Sequence, residues 1–203
     1  FAPWLAAGGA TAERVWVRLG LAFEARQRSL LRYLVSLAPP GLETDAKALA
    51  RLYREPQHLG RHLAAMTPTR RDEALHWGLR RLARYQAEGA LDAWRAHSAA
   101  LPADDPGCAG TEWRIAFQAL LAKEPAAAPW IDANLATWGD DQLTAMRLRW
   151  LLAEADWPRF LAVAPALTAA ERESAQWRYW RGVAHEATGE GEAGRELLAA
   201  AAK

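Results

Sequence analysis

The chain has 203 residues, 51% hydrophobic and 24% charged, which is apolar content enough for a sizeable buried core. A net charge of +1 excludes the broad positive field that non-specific nucleic-acid binding needs. A single cysteine, Cys108, excludes an intramolecular disulfide and a multi-cysteine metal cluster. The 25 basic residues are nearly all arginine, with lysine only at Lys47, Lys123 and Lys203, and they read as spread along every helix rather than clustered. The longest apolar runs are broken by Arg or Glu, so no membrane span is expected. The chain starts at Phe1 with no visible signal peptide and reads as a processed or excised fragment.

Trp4 and Leu5 precede a Gly8-Gly9 break. Thr11 is placed to cap the first helix, with Arg14 where a capping box would carry Glu. Trp16, Leu19 and Phe23, then Leu30, Leu34 and Leu37, share one helical face. They lie on one long helix, or on two joined by a tight turn near Ala25–Arg28. Pro39-Pro40-Gly41 ends that segment. Asp45 to Arg54 forms a shorter helix, and Pro56 starts another with Leu59, Leu63 and Met66. Thr69 is expected to cap a helix with Asp72 and Glu73 in its first turn and Leu75, Leu79 and Leu82 on its apolar face. Gly89 is expected to mark the turn into a returning helix with Leu91 and Trp94. Pro102 to Gly110 reads as a loop.

The next helix carries Trp113, Ile115, Phe117, Leu120 and Leu121 and stops before Pro125; Trp130, Ile131 and Leu135 return. Asp140-Asp141 opens a helix with Leu143, Met146, Arg147, Trp150 and Leu151. Asp156-Trp157-Pro158 caps the next, with Phe160, Leu161 and Val163. Pro165 and Thr168 lead into a helix crowded with Trp177, Tyr179 and Trp180, which Gly189 stops before a last helix with Ala193, Leu197 and Leu198. No stretch shows sustained alternation of period two, so the chain is all-α. Trp77 and Trp113 are 36 residues apart, as are Trp94 and Trp130. That spacing predicts a degenerate α-solenoid of helix pairs, TPR-like, over one domain spanning 1–203. The 11 tryptophans are read as packing between helices.

No constellation for chemistry stands out. His58 and His62 share a helix face, but the residues between them include no Glu and no third ligand is indicated. His76, His97 and His185 are isolated in sequence, and Asp104-Asp105 and Asp140-Asp141 read as turn and capping residues. No cofactor and no metal site is expected.

Two motifs resemble a known family. The segment Arg147-Leu-Arg-Trp150-Leu-Leu-Ala-Glu-Ala-Asp156-Trp157 and the run from Trp177 through Tyr179, Trp180, Ala184 and Glu186 to Gly189 resemble the superhelical domain of the soluble lytic murein transglycosylases. Glu73 to Arg84, followed by Ala93-Trp94, and Arg14 to Pro39 are similar to further helix pairs of that family. The latter similarity favours a break near Ala25–Arg28. The chain departs from the pattern at Gly182, where the family usually has Ala, and at His185, where Leu is common.

The resemblance implies a periplasmic parent enzyme that cleaves the glycan strand of peptidoglycan with closure of an anhydro ring. Its single catalytic Glu would lie in a lysozyme-like domain beyond Lys203, so no catalytic residue is expected here. Glu173-Ser174 lacks the glycine-rich stretch that follows the family's Glu-Ser and is read as non-catalytic. Within this chain Arg172, Arg178 and Arg181 are the candidates to meet stem-peptide carboxylates, against local pairing with Glu171 or Glu186. The implied partners are peptidoglycan glycan strands and the downstream catalytic domain. The other reading of the repeat is a TPR-like protein-interaction module that binds a protein partner and has no enzymatic activity.

Overall fold

The computed structural model describes residues 11–202. The expected Trp4, Leu5 and Gly8-Gly9 features lie outside them. Among the described residues the structure holds thirteen α-helices and no strand, so the all-α expectation is met. The chain divides into two compact units, Phe1–Ile115 and Ala116–Lys203.

In the first unit, α1 (Ala12–Glu24) starts at the Thr11 cap, whose hydroxyl accepts from the Arg14 amide at 3.4 Å. Val15, Trp16, Leu19, Ala22 and Phe23 form its buried face. The helix breaks in the segment the sequence indicated. No glycine is available there, and Arg26 itself takes a left-handed φ of 59°. The Tyr53 hydroxyl holds that turn by donating to the Arg26 carbonyl at 3.1 Å. Helix α2 (Arg28–Ser36) follows, burying Leu31 and Leu34, and Gly41 at φ 89° turns the chain after the two prolines.

Helix α3 (Glu43–Arg54) starts two residues earlier than expected, which places Asp45 inside it and buried. The Asp45 carboxylate accepts from the backbone amide of Thr67 at 2.8 Å and from its hydroxyl at 2.9 Å. This corrects the predicted cap of the next long helix. Thr67, not Thr69, precedes it, and its hydroxyl serves Asp45. A single 3₁₀ turn leads into α4 (Leu59–Ala64), and α5 (Pro68–Leu82) begins with proline at its first position, where no amide donor is missed. Asp72 and Glu73 therefore lie beyond the first turn of α5. Glu73 accepts from the Trp16 indole instead. Helix α6 (Ala87–His97) also begins earlier than predicted: the turn runs through Ala83–Gln86, and Gly89 sits inside the helix.

Close approach explains one glycine of α1. A Cβ on Gly20 would lie 2.3 Å from the Trp77 ring, which is wedged beside Trp16 at a centroid distance of 5.4 Å. A Cβ on Gly60 in α4 would meet nothing within 4 Å. The same substitution is thus expected to have opposite signs. Gly20→Ala should cost about 1–3 kcal/mol by overpacking, and Gly60→Ala should gain up to about 1 kcal/mol from helix propensity. Urea melts of the two variants measure this; equal effects would contradict it.

Helix α7 (Gly107–Ala122) carries the boundary between the units. It takes up Gly107 to Gly110, which the sequence assigned to a loop. In the second unit, α8 (Ala128–Trp138) ends at Gly139 with φ 59°. Helix α9 (Asp141–Glu154) is capped by Asp140, which accepts from the Leu143 amide at 2.8 Å. Helix α10 (Trp157–Val163) is capped by Asp156, as expected. The device that ties Asp45 to Thr67 recurs here: Asp141 accepts from both the amide and the hydroxyl of Thr168 at 2.7 Å.

Helix α11 (Ala169–Arg172) is one turn long, and α12 (Ala175–Ala187) and α13 (Gly191–Ala201) form the last pair. The two helices approach closely at Gly182 and Gly194. A Cβ on Gly182 would lie 3.0 Å from the Gly194 carbonyl oxygen, and one on Gly194 2.9 Å from that of Gly182. The departure from the family pattern at Gly182 is thus a backbone-to-backbone contact. No helix is long and apolar enough to cross a membrane among the described residues. Of the ten described tryptophans none is fully exposed, and Trp16, Trp94, Trp150 and Trp177 are buried.

Candidate functional site

The three arginines singled out from the sequence converge at the start of α12. Arg178 Nε donates to Glu173 Oε2 at 3.1 Å, and Arg181 to Glu173 Oε1 at 3.2 Å. Arg181 also donates to the Arg172 carbonyl at 3.3 Å, and Arg172 to the Pro165 carbonyl at 3.4 Å. The local partner is Glu173, not Glu171 or Glu186. Glu171 instead accepts from the Trp177 indole at 3.1 Å. The Glu-Ser pair lies at the junction of two helices, with Glu173 ending α11 and Ser174 preceding α12.

Hydrogen bonds from Arg178 and then Arg181 hold the Glu173 carboxyl below its ordinary value of 4.5. A depressed folded-state value means that this carboxylate favours folding above about pH 4.5 and loses that contribution as pH falls through the lower folded value. Titration of Glu173 by carboxyl-detected NMR should give a midpoint below 4.5 that returns toward it in Arg178→Ala/Arg181→Ala. An unchanged midpoint in that variant would contradict the pairing.

The histidines separate into two settings. His58 is exposed, while His62 is buried with Nε2 3.6 Å from Glu55, and burial lowers the His62 pKa. His76, isolated in sequence, is not isolated in the fold. Its Nδ1 lies 2.8 Å from the Thr111 hydroxyl and its Nε2 3.1 Å from Asp105, which also accepts from the Gly107 amide at 2.7 Å. Cys108 stands beside them, with donor atoms of His76, Asp105 and Cys108 all within 4.8 Å of one another. Burial, then Asp105 and Glu112, push the thiol pKa up, so it stays protonated, and both nitrogens of His76 already have protein partners. The arrangement is a closed hydrogen-bond network that fixes α5 to the start of α7. Gly107 is required there, since a Cβ would lie 2.3 Å from the His76 ring. Asp105 thus does more than turn the chain, and Asp141 more than open a helix.

The larger departure from sequence expectation is a basic groove in the first unit. Arg26, Arg80, Arg81, Arg84 and Arg114 line a cavity of about 160 Å³ with Phe23, Glu24, Trp77 and Gly110. Two of the arginines are engaged. Arg80 pairs with Glu24 at 2.6 Å and donates to Thr111 at 3.3 Å. Arg81 donates to the Tyr53 carbonyl and lies 3.6 Å over the Tyr53 ring. Arg26, Arg84 and Arg114 have no carboxylate within ion-pair distance among the described residues. Burial, then the positive charges of Arg84, Arg80 and Arg26, lower the pKa of Arg114.

The basic residues are therefore not uniformly spread. The local sign in the sequence was Arg80-Arg81 followed by Arg84 at the end of an amphipathic helix, where positive charge suits the helix C-terminus. Arg26 and Arg114 join them only through the fold, from 54 residues before Arg80 and 34 after it.

No family model matches the chain, and no curated protein matches it either. Among solved structures it is similar to the lytic transglycosylase Slt of Pseudomonas aeruginosa, determined as an inactive mutant. The TM-score is 0.75 at 27% identity, over 97% of this chain and 32% of that one. The chain thus spans about a third of the length of that enzyme and has the helical fold of a lytic transglycosylase region.

Proposed function

We propose that this chain is the superhelical scaffold of a soluble lytic murein transglycosylase. In this reading it positions peptidoglycan strands or braces a catalytic domain lying outside residues 1–203. The observation that carries the reading is the likeness to Slt over 97% of the chain, with a TM-score of 0.75 at 27% identity. It agrees in kind with the family motifs at Arg147–Trp157 and Trp177–Gly189.

The degenerate solenoid belongs to the same reading. The two tryptophan pairs of equal offset fall on the consecutive helices α5, α6, α7 and α8, and an Asp–Thr tie occurs in each unit. Both units are read as parts of one α-superhelical domain. The proposed setting is the periplasm and the proposed ligand peptidoglycan. No residue of this chain is assigned to bond cleavage.

Two results test the proposal. The coding sequence beyond Lys203 should continue into a lysozyme-like domain with a Glu-Ser pair and a glycine-rich stretch after it. Its absence would sink the transglycosylase assignment. Residues 1–203 alone, incubated with purified sacculi, should release no anhydromuropeptides by mass spectrometry, and their release would overturn the scaffold role.

A further inference from the structure

We propose that Arg26, Arg84 and Arg114, with Arg80 and the Trp77 ring beside them, form a carboxylate-binding groove for a peptide bearing more than one carboxylate. The peptide stems of peptidoglycan have that chemistry. The identity of the peptide rests on the function proposed above; the anion chemistry of the groove does not.

Charge balance separates this groove from Arg172, Arg178 and Arg181. At the start of α12 one carboxylate, Glu173, accepts from both Arg178 and Arg181. In the groove the only carboxylate among the lining residues, Glu24, is taken by Arg80. Three guanidiniums around one cavity remain with no carboxylate within ion-pair distance among the described residues. Like charges held together raise one another's energy, and an incoming anion relieves that repulsion in proportion to the charge it brings.

The cost of assembling this charge shows at Arg114, which is partly buried and whose charged form is disfavoured by burial and by its arginine neighbours. The fold holds the cluster in place nonetheless. Arg26 sits in the left-handed turn that Tyr53 clamps at 3.1 Å. Arg84 follows the end of α5, and Arg114 is carried by α7.

Planar guanidiniums match carboxylate oxygens two by two, so a carboxylate gains directed bonds as well as charge neutralisation. The half-buried Trp77 ring, backed by the buried Phe23, adds an apolar wall, which suits the methyl and methylene groups of a short peptide better than a bare anion.

The test is isothermal titration of residues 1–203 with a soluble peptidoglycan tetrapeptide, with the same peptide amidated at its carboxylates, and with inorganic phosphate. The tetrapeptide should bind, and Arg84→Ala/Arg114→Ala should weaken it by roughly tenfold or more, as expected for lost charge-assisted hydrogen bonds. The amidated peptide should bind no better than to that variant. Equal affinity of wild type and variant, or of free and amidated peptide, would overturn the proposal. Displacement of the peptide by an equal concentration of phosphate would overturn the carboxylate assignment in favour of a phosphate site. Should the double variant lose its helical circular dichroism, the exposed Arg84→Gln alone gives the same readout.

Retention on whole sacculi separates this inference from the function it rests on. Sacculi that hold wild type and double variant equally would refute the groove and leave the scaffold reading standing. A peptide that binds the groove of a protein that sacculi do not retain would leave the groove standing and refute the positioning of strands.

Discussion

Arg147→Ala is expected to destabilise the chain by about 3–5 kcal/mol, the range for breaking a buried ion pair. Arg147 is 1% exposed and sits on the inner face of α9. It donates to both oxygens of Asp132 on α8, at 2.6 and 3.0 Å, and its guanidinium lies 4.4 Å from the centroid of Trp150. Its third nitrogen is buried with no hydrogen-bond partner. The pair is therefore costly to bury and more costly to break. Removing Arg147 leaves a cavity and an unpaired Asp132; Asp132→Ala leaves a buried cation, and is expected to cost a similar amount.

Arg147→Met restores most of the volume without the charge, but it also strips Asp132 of its partner. Asp132→Ala/Arg147→Met removes both charges and should recover much of the loss, since apolar replacement of a whole buried pair is often neutral. Chemical denaturation of the four variants, read as a double-mutant cycle, measures the coupling. A loss below about 1 kcal/mol for all three single changes would place the pair in the class of exposed salt bridges instead.

Trp177→Ala is expected to cost about 3–5 kcal/mol, as for other fully buried tryptophans. The side chain is 0% exposed, packs beside Phe160 at a ring distance of 6.4 Å and has Arg149 5.7 Å from its centroid. Its indole N–H donates to Glu171 at 3.1 Å. The residue therefore joins α10, α11 and α12 with both its apolar body and its polar tip. Trp177→Phe keeps part of the packing and loses the hydrogen bond, so it should fall between wild type and the alanine variant. A Trp177→Ala variant with an unchanged denaturation midpoint would mean that the ring is not a core element.

Arg147 and Trp177 both belong to the segments that first suggested the family, and the structure gives these segments a packing role. The periodicity of apolar residues located the helices because burial of one face is what makes such helices stable. Boundaries failed where a residue had a tertiary duty that local sequence does not display. Thr67 is drawn to Asp45, so the predicted cap moved from Thr69. Gly89 has the look of a turn residue but lies within α6, while Gly107 starts α7 because a histidine ring from α5 occupies the space of its side chain.

The candidate site was legible only in part. Arg172, Arg178 and Arg181 do come together, but local spacing did not single out Glu173, the neighbour that neutralises two of them. The Arg26–Arg84–Arg114 groove was hidden because its members come from three separate stretches of chain, and no periodicity links a left-handed turn to the end of one helix and the first half of another. The same holds for His76, whose partners lie 29 and 35 residues away.

Under the proposed function this helical chain contacts peptidoglycan strands rather than a protein partner. Co-sedimentation of purified residues 1–203 with protein-free sacculi tests it most directly, with insoluble cellulose as the control polymer. Saturable retention on sacculi that weakens as salt rises is expected, since the proposed contacts are ionic, with no retention on cellulose. Protein left wholly in the supernatant at low salt would contradict it.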